Sequence, residues 1–144
     1  MKKLIAAAVL GLLANAVLAQ ASPVGLWKTI DDDGKTVKSM VRITESGGVL
    51  SGTVEKIMEA AKQDAKCDQC SDERKDKPVL GMTIIRGVKQ EADDKSVWSG
   101  GEILDPANGK TYKTKIWSAD GGKTLNVRGY IGFLYRTQVW QKAE

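Results

Sequence analysis

Hydrophobic and polar residues alternate along most of the chain. In residues 37–44, for example, Val37, Val41 and Ile43 share one face, and charged or polar side chains dominate the other. A repeat of two is typical of a β-strand with one buried face. The pattern predicts eight strands, at residues 25–30, 37–44, 49–57, 78–90, 95–104, 111–117, 123–131 and 137–141.

Turn-forming residues separate the predicted strands. In the segment from Asp105 to Gly109, Pro106 holds φ at about −65° and Gly109 accepts a positive φ, as a hairpin corner requires. Short hairpins favour an up-and-down order, and closure of such a sheet removes its exposed edges. We therefore predict an all-β fold, a small up-and-down antiparallel barrel of about eight strands. A two-sheet sandwich is the alternative.

One connection is much longer than the others. Residues 58–77 are charged and irregular, with room for a single helical turn near their start. Loops of this length without regular structure usually serve as lids, binding loops or disordered segments. We expect this loop to cover the mouth of the barrel.

The first nineteen residues have the features of a secretory signal peptide. Two lysines precede an apolar run that is too short to span a membrane, and small residues lead up to Ala19. We predict cleavage after Ala19, with Ala21 as the alternative site. Residues 20–144 would then form one β-barrel domain, exported most simply to a bacterial periplasm.

Charge and residue types narrow the possible functions. The chain has 22 basic and 18 acidic residues, and removal of the two lysines of the signal peptide would leave a net charge of +2, which gives nucleic-acid binding little support. Histidine is absent, which excludes histidine-based triads and general bases. The aspartates cluster in predicted turns, where they favour local hydrogen bonds. We expect a non-enzymatic protein without a cofactor or a bound metal.

The segment Cys67-Asp68-Gln69-Cys70 is the sharpest chemical candidate. Two cysteines at this spacing form a redox dithiol, half of a zinc site or a structural disulfide. Export favours the disulfide, and a zinc site would need further Cys or His ligands that this sequence lacks. A thiol–disulfide oxidoreductase stays open as an alternative, because Lys66 and Arg74 would favour a thiolate.

Aromatic and arginine side chains on the predicted strands are the candidate ligand contacts. A barrel of eight strands is just wide enough to be filled by side chains or to hold one small ligand, and an inward arginine would need an anion. We predict binding of a small apolar or amphipathic molecule, with Arg86 or Arg128 pairing an acid group. A protein-binding module, such as an inhibitor or an envelope-stress factor, is the alternative. The candidate ligand-binding residues are Arg86, Trp98, Ile103, Tyr112, Arg128 and Tyr130.

Trp27 and Arg136 are candidates for closing the barrel. They lie on the first and last predicted strands, which are neighbours in a closed barrel, so we expect the guanidinium of Arg136 to stack on the indole of Trp27. This pairing resembles that of lipocalins. Neither residue need touch a ligand.

A more specific resemblance covers nearly the whole exported chain. Its segments are Gly25–Asp32, Cys67–Cys70, Lys77–Val79, Gly100–Pro106, Gly109–Tyr112 and Arg128–Gly132. These segments resemble the exported bacterial family called domain of unknown function 2147. The resemblance implies a lipocalin-like periplasmic barrel, and it implies little about activity because that family is uncharacterised.

Overall fold

Eight antiparallel strands form a closed barrel in residues 22–144, the part of the chain that the computed structural model describes. Each strand pairs with the next one, and the first pairs with the last. The predicted barrel is thus confirmed, whereas the predicted signal peptide lies outside the described residues. The strands are β1 (Gly25–Ile30), β2 (Val37–Ser46), β3 (Val49–Ile57), β4 (Thr83–Gln90), β5 (Val97–Asp105), β6 (Lys110–Ala119), β7 (Thr124–Ile131) and β8 (Leu134–Lys142).

Two strand boundaries differ from the prediction by three residues or more, and the others by at most two. Strand β4 begins at Thr83 rather than at residue 78, because Pro78 forms only an isolated bridge with Lys66 and the chain then turns through Gly81 at φ 86°. We call residues 58–82, which join β3 to β4, the cysteine loop. Strand β8 begins three residues early, at Leu134, because a tight turn leads directly from β7 into β8. The β7–β8 hairpin therefore projects further than expected.

The contact that closes the barrel involves a different cation from the predicted one. Trp27 is fully buried, and its indole Nε1 donates a hydrogen bond to the carbonyl oxygen of Pro23 at 2.8 Å. The register pairs Trp27 with Lys142, whose Nζ lies 5.1 Å from the ring centroid. Arg136 lies near the start of β8, at the other end of the barrel, and forms an ion pair with Asp32 at 3.0 Å. The predicted stacking of Arg136 on Trp27 is therefore not formed.

The two ends of the barrel differ in how they are filled. At the end where β1 begins, which we call the closed end, large buried side chains occupy the interior. They include Trp27, Trp98, Trp140, Ile43, Leu50, Val88, Ile116 and Leu125. At the other end, which we call the open end, the connections β1–β2, β3–β4, β5–β6 and β7–β8 surround the barrel mouth. Tryptophans thus fill one half of the barrel and leave space in the other.

Candidate ligand-binding cavity

A cavity of about 630 Å³ occupies the open end of the barrel. This volume falls within the range of small-molecule binding sites, about 300–1,000 Å³. Its depth is mainly apolar, and its rim carries charged and hydrogen-bonding groups. The apolar lining residues are Ile30, Ile84, Ile103, Leu104, Val127, Ile131, Leu134 and Trp140.

A glycine and a tryptophan shape the inside of the cavity. Trp140 separates the cavity from the closed end, and its indole Nε1 donates to Oε1 of Gln138 at 3.0 Å. Gly129 lies on the cavity wall, where a Cβ atom would stand only 3.3 Å from Cβ of Tyr112. The missing side chain at this position therefore keeps space open beside Tyr112.

The rim of the cavity is polar. An ion pair joins Arg136 Nη1 to Asp32 Oδ2, and Gln138 Nε2 donates to the other oxygen of Asp32 at 3.3 Å. Lys38 also lines the rim, and Asn108 donates from Nδ2 to the hydroxyl of Tyr112 at 3.0 Å. Because both partners of the ion pair are well exposed, their attraction contributes little, about 0–1 kcal/mol. A ligand anion can therefore replace Asp32 at Arg136 at small cost.

Two of the six predicted ligand-binding residues line this cavity. Ile103 and Tyr112 are paired in register on β5 and β6, and both face inward. Trp98 also lies inside the barrel, but it is buried at the closed end opposite Ile116 and does not reach the cavity. The β5–β6 hairpin therefore contributes to the cavity through its half near the open end.

Arg128 and Tyr130 lie on the outer face of the barrel, because the alternation of β7 directs Val127 and Gly129 inward. The guanidinium carbon of Arg128 lies 5.0 Å from the ring centroid of Trp117 and 4.1 Å from that of Tyr135. The expectation that Arg128 pairs a ligand inside the barrel therefore does not agree with its position. Arg136, which the sequence analysis assigned to barrel closure, is the arginine at the cavity.

Arg86 is likewise outside the barrel, in a network of ion pairs. Its Nε donates to Glu102 Oε1 at 2.6 Å, and its other nitrogens pair with Glu73 and Asp72. Hydrogen bonds that Arg86 donates to Glu73 and Glu102 raise the pKa of Arg86. Arg74, which is buried, completes the network through Asp72 Oδ2 at 2.6 Å. The Arg74 side chain is the main reason that the pKa of Asp72 falls from its ordinary 3.8 to about 2.

The cysteine loop packs against the side of the barrel rather than over its mouth. Cys67 and Cys70 form the predicted disulfide, and both are buried. The Sγ of Cys67 lies 3.8 Å from the carbonyl oxygen of Pro106, and the backbone of Gln69 lies so close to Gly109 that a Cβ atom there would overlap it. The cavity lining comes from the strands and from the β1–β2 and β5–β6 connections. The prediction that residues 58–77 cover the mouth is therefore corrected.

The sequence analysis did not assign four residues of the cavity and its rim to ligand binding: Asp32, Gly129, Leu134 and Arg136. It also did not single out the neighbouring Phe133. The available signal was the Gly132-Phe133 pair, which is a turn followed by more alternating residues. That signal would have extended β8 to Leu134. It would not have placed Arg136 beside Asp32, since these residues are far apart in the sequence and meet only through barrel closure.

The fold and the family are now both defined. Residues 25–142 match the family described as "Uncharacterized protein conserved in bacteria (DUF2147)". The chain belongs to this family. The DUF2147 barrel is similar to a solved structure described as "Protein HP1028 from the human pathogen Helicobacter pylori belongs to the lipocalin family". The TM-score is 0.72 at 17% identity, and the match covers 86% of this chain and 84% of that one. No curated protein matches the sequence.

At this level of identity, the similarity to the lipocalin-family structure establishes the fold alone. It confirms the predicted lipocalin-like barrel. Between residues 22 and 144, no helix has the length and the apolar character needed to cross a membrane. Over the same part of the chain, no group of three or more Cys, Asp or Glu side chains is placed to hold a metal ion.

Proposed function

We propose that this DUF2147 protein binds a small amphipathic molecule in its open-end cavity, without catalysis, after export to the periplasm. The cavity carries the proposal, because it combines an apolar interior with a charged rim in one connected space of about 630 Å³. A purely apolar ligand would make no polar contact with the charged rim. A purely polar ligand would gain little from the interior.

The arrangement of the lining sets the orientation of the ligand. Its apolar part would pack against Ile103, Val127 and Trp140, at about 25 cal/mol for each Å² of apolar surface removed from water. Its acidic head group would accept charge-assisted hydrogen bonds from Arg136 at the rim. Asp32 would then turn toward solvent, which the exposure of this ion pair permits.

A structural role for the disulfide accompanies this proposal. Thiol exchange needs a sulfur that an attacking thiolate can reach. Both cysteines are buried, and Cys67 lies against the β5–β6 turn. The disulfide instead holds the cysteine loop against Gly109. We propose that it orders this loop and transfers no electrons.

Titration with a fluorescent fatty-acid analogue tests the binding proposal. We expect saturable binding to the wild-type protein and a loss of affinity of about tenfold or more for Gly129→Leu, whose side chain would fill the cavity. Gly129 has no left-handed φ, so a larger residue there requires only a small shift of Tyr112, and urea denaturation checks that the variant folds. Asn126→Leu, which adds a side chain of the same type on the outer face of β7, is the matched control.

A second variant tests the orientation of the ligand. Arg136→Gln should weaken binding of the fatty acid by about tenfold, because a charge-assisted hydrogen bond is lost, and should leave binding of the corresponding fatty alcohol unchanged. Absence of saturable binding, or equal binding by wild type and Gly129→Leu, would contradict the proposal.

A further inference from the structure

The tip of the β7–β8 hairpin exposes more apolar surface than any other part of residues 22–144. Phe133 stands at the apex of the turn and is 90% exposed, and Ile131 and Leu134 flank it with more than half of their surface in water. The other exposed large hydrophobic residues outside this hairpin, such as Leu80, are single and less exposed. We call residues 131–134 the apolar tip. A contiguous exposed group of this kind usually marks an interaction site.

Aromatic and basic residues follow the apolar tip in two rows across the outer face. The first row contains Lys113, Tyr130 and Tyr135, which lie side by side on β6, β7 and β8. The ring centroids of the two tyrosines are 5.7 Å apart. The second row contains Lys115 and Arg128, next to each other on β6 and β7. At about 3.3 Å per residue, Phe133 extends roughly 10 Å beyond the first row.

This order matches the layers of a membrane surface. Apolar side chains of interfacial proteins enter about 5–10 Å into the boundary of the acyl chains, Tyr and Trp prefer the level of the head groups, and Lys and Arg attract anionic lipids. Strands β6, β7 and β8 contain no acidic residue, and Lys113, Lys115 and Arg128 on their outer face complement an anionic surface. Of the other basic residues, Lys142 lies at the closed end and Arg136 at the cavity rim, where Asp31, Asp32 and Asp105 are the acidic residues. Glu91 beside Lys115 and Asp32 beside Arg136 are the acidic partners that neighbouring elements supply.

We propose that the apolar tip docks on a lipid leaflet that carries anionic phospholipid. Phe133 enters the acyl boundary, Tyr130 and Tyr135 lie among the head groups, and Lys113 binds their phosphates. Ile131 and Leu134 belong to both the tip and the cavity lining, so an apolar surface continues from the leaflet into the cavity. The docking itself does not depend on the function proposed for the cavity.

The shape and size of the tip favour a lipid surface over a protein partner. A stable protein interface buries about 800 Å² on each side, usually over twenty or more residues. The apolar tip is the narrow apex of one hairpin, with three large apolar side chains. Such an apex enters a fluid layer easily, whereas it would give a protein partner only a small contact.

Co-sedimentation with vesicles tests the docking. The protein purified after expression of the full 144-residue chain is mixed with vesicles of phosphatidylglycerol and phosphatidylcholine, or of phosphatidylcholine alone. We expect preferential binding to the anionic vesicles, with partitioning about tenfold weaker for Phe133→Ser and about fivefold weaker for Lys113→Gln. High salt should weaken the wild type and leave the residual binding of Lys113→Gln less affected.

Leu80→Ser is the matched control, because it removes an exposed apolar side chain of the cysteine loop. It should bind like the wild type, and Phe133→Trp should also retain binding.

The proposal is overturned if wild type fails to bind anionic vesicles, or if Phe133→Ser and Leu80→Ser bind equally well. It is also overturned if the tip instead joins two copies of the chain or holds a protein partner. Fatty-acid titration in solution is unaffected by these outcomes, so failure of docking and failure of ligand binding are distinguishable.

Discussion

Two strand pairs differ in how they are covered where they approach the open end of the barrel. The β4–β5 pair is covered by the cysteine loop, which adds Cys67, Cys70 and Met82 to the hydrophobic core and fastens itself through Arg74. The β7–β8 pair has no such cover, and Phe133 projects into water. The comparison separates the apolar surface that stabilises the folded barrel from the apolar surface that does not. Burial beneath the cysteine loop stabilises the barrel, whereas the exposed tip contributes little to stability and is available for binding.

The clearest test of this comparison shortens one leucine in each of the two regions. Leu104 is 2% exposed in the buried cluster that includes Cys67 and Cys70, and Leu134 is 66% exposed at the apolar tip. Leu104→Ala should lower the free energy of unfolding by about 2–4 kcal/mol through lost burial and a residual cavity. Leu134→Ala should change it by less than about 0.5 kcal/mol. Urea denaturation measures both, and equal effects would remove the distinction between the two regions.

Removal of the disulfide tests whether the covered side depends on it. The double variant Cys67→Ser/Cys70→Ser should lose about 2 kcal/mol, as expected for release of a short closed loop. Limited proteolysis should then cut within residues 58–82 before it cuts any strand. Fatty-acid binding should persist, since the cysteine loop does not line the cavity. An unchanged proteolysis pattern would show that the packing, hydrogen bonds and ion pairs of the loop hold it without the disulfide.

The pH dependence of stability should report the ion pairs of the covered side. Because Arg74 lowers the pKa of Asp72 to about 2 in the folded protein, this carboxyl stabilises the fold above its ordinary pKa of 3.8. That contribution is lost as the pH falls from about 4 through 2. Asp72→Asn should therefore cost about 1–2 kcal/mol at neutral pH and flatten the acid dependence.

Asp64→Asn is the control for this measurement, because it removes an exposed carboxyl from the same loop. Thermal unfolding at pH 7, 4 and 2 gives the comparison. If Asp72→Asn and Asp64→Asn lose stability equally, then the loop is not held by the Asp72–Arg74 pair.

The smallest effect on stability is expected at the apolar tip itself. Phe133→Ser should leave the free energy of unfolding within about 0.5 kcal/mol of wild type, because almost none of the side chain is buried. The same variant should bind anionic vesicles about tenfold more weakly. A clear loss of stability would mean that Phe133 packs against the barrel, and the two regions would then differ less than the structure indicates.

Much of the fold follows from local patterns in the sequence. Alternation at residues such as Val41 and Ile43 identifies strands, because side chains of a strand point in turn to opposite faces. Pro106 and Gly109 mark a hairpin, and the cysteines are close enough along the chain to meet without help from the fold. These features depend on a few neighbouring residues, so the sequence by itself determined the strand order, the barrel class and the disulfide.

The position of the binding cavity depended on contacts between distant residues. Alternation separates Arg128 and Tyr130 from Val127 and Gly129, but it does not state which pair faces inward. Packing of all eight strands decides that, since the closed interior admits Val127 and Gly129 and leaves the larger charged side chain outside. The cation beside Trp27 was likewise decided by the register of β1 with β8, which is set only when the barrel closes.

The cysteine loop likewise combines a feature evident in the sequence with one that only the tertiary structure decides. Its length and irregularity were evident in the sequence, but its course along the barrel side was not. That course follows from the close fit of Gln69 on Gly109 and from the hydrogen bond that Arg74 donates to the carbonyl oxygen of Thr83 at the start of β4. Each contact joins segments that are brought together by the barrel. Local sequence determined the elements, and only the tertiary structure decided which of their faces were buried, because burial depends on what the rest of the chain places opposite them.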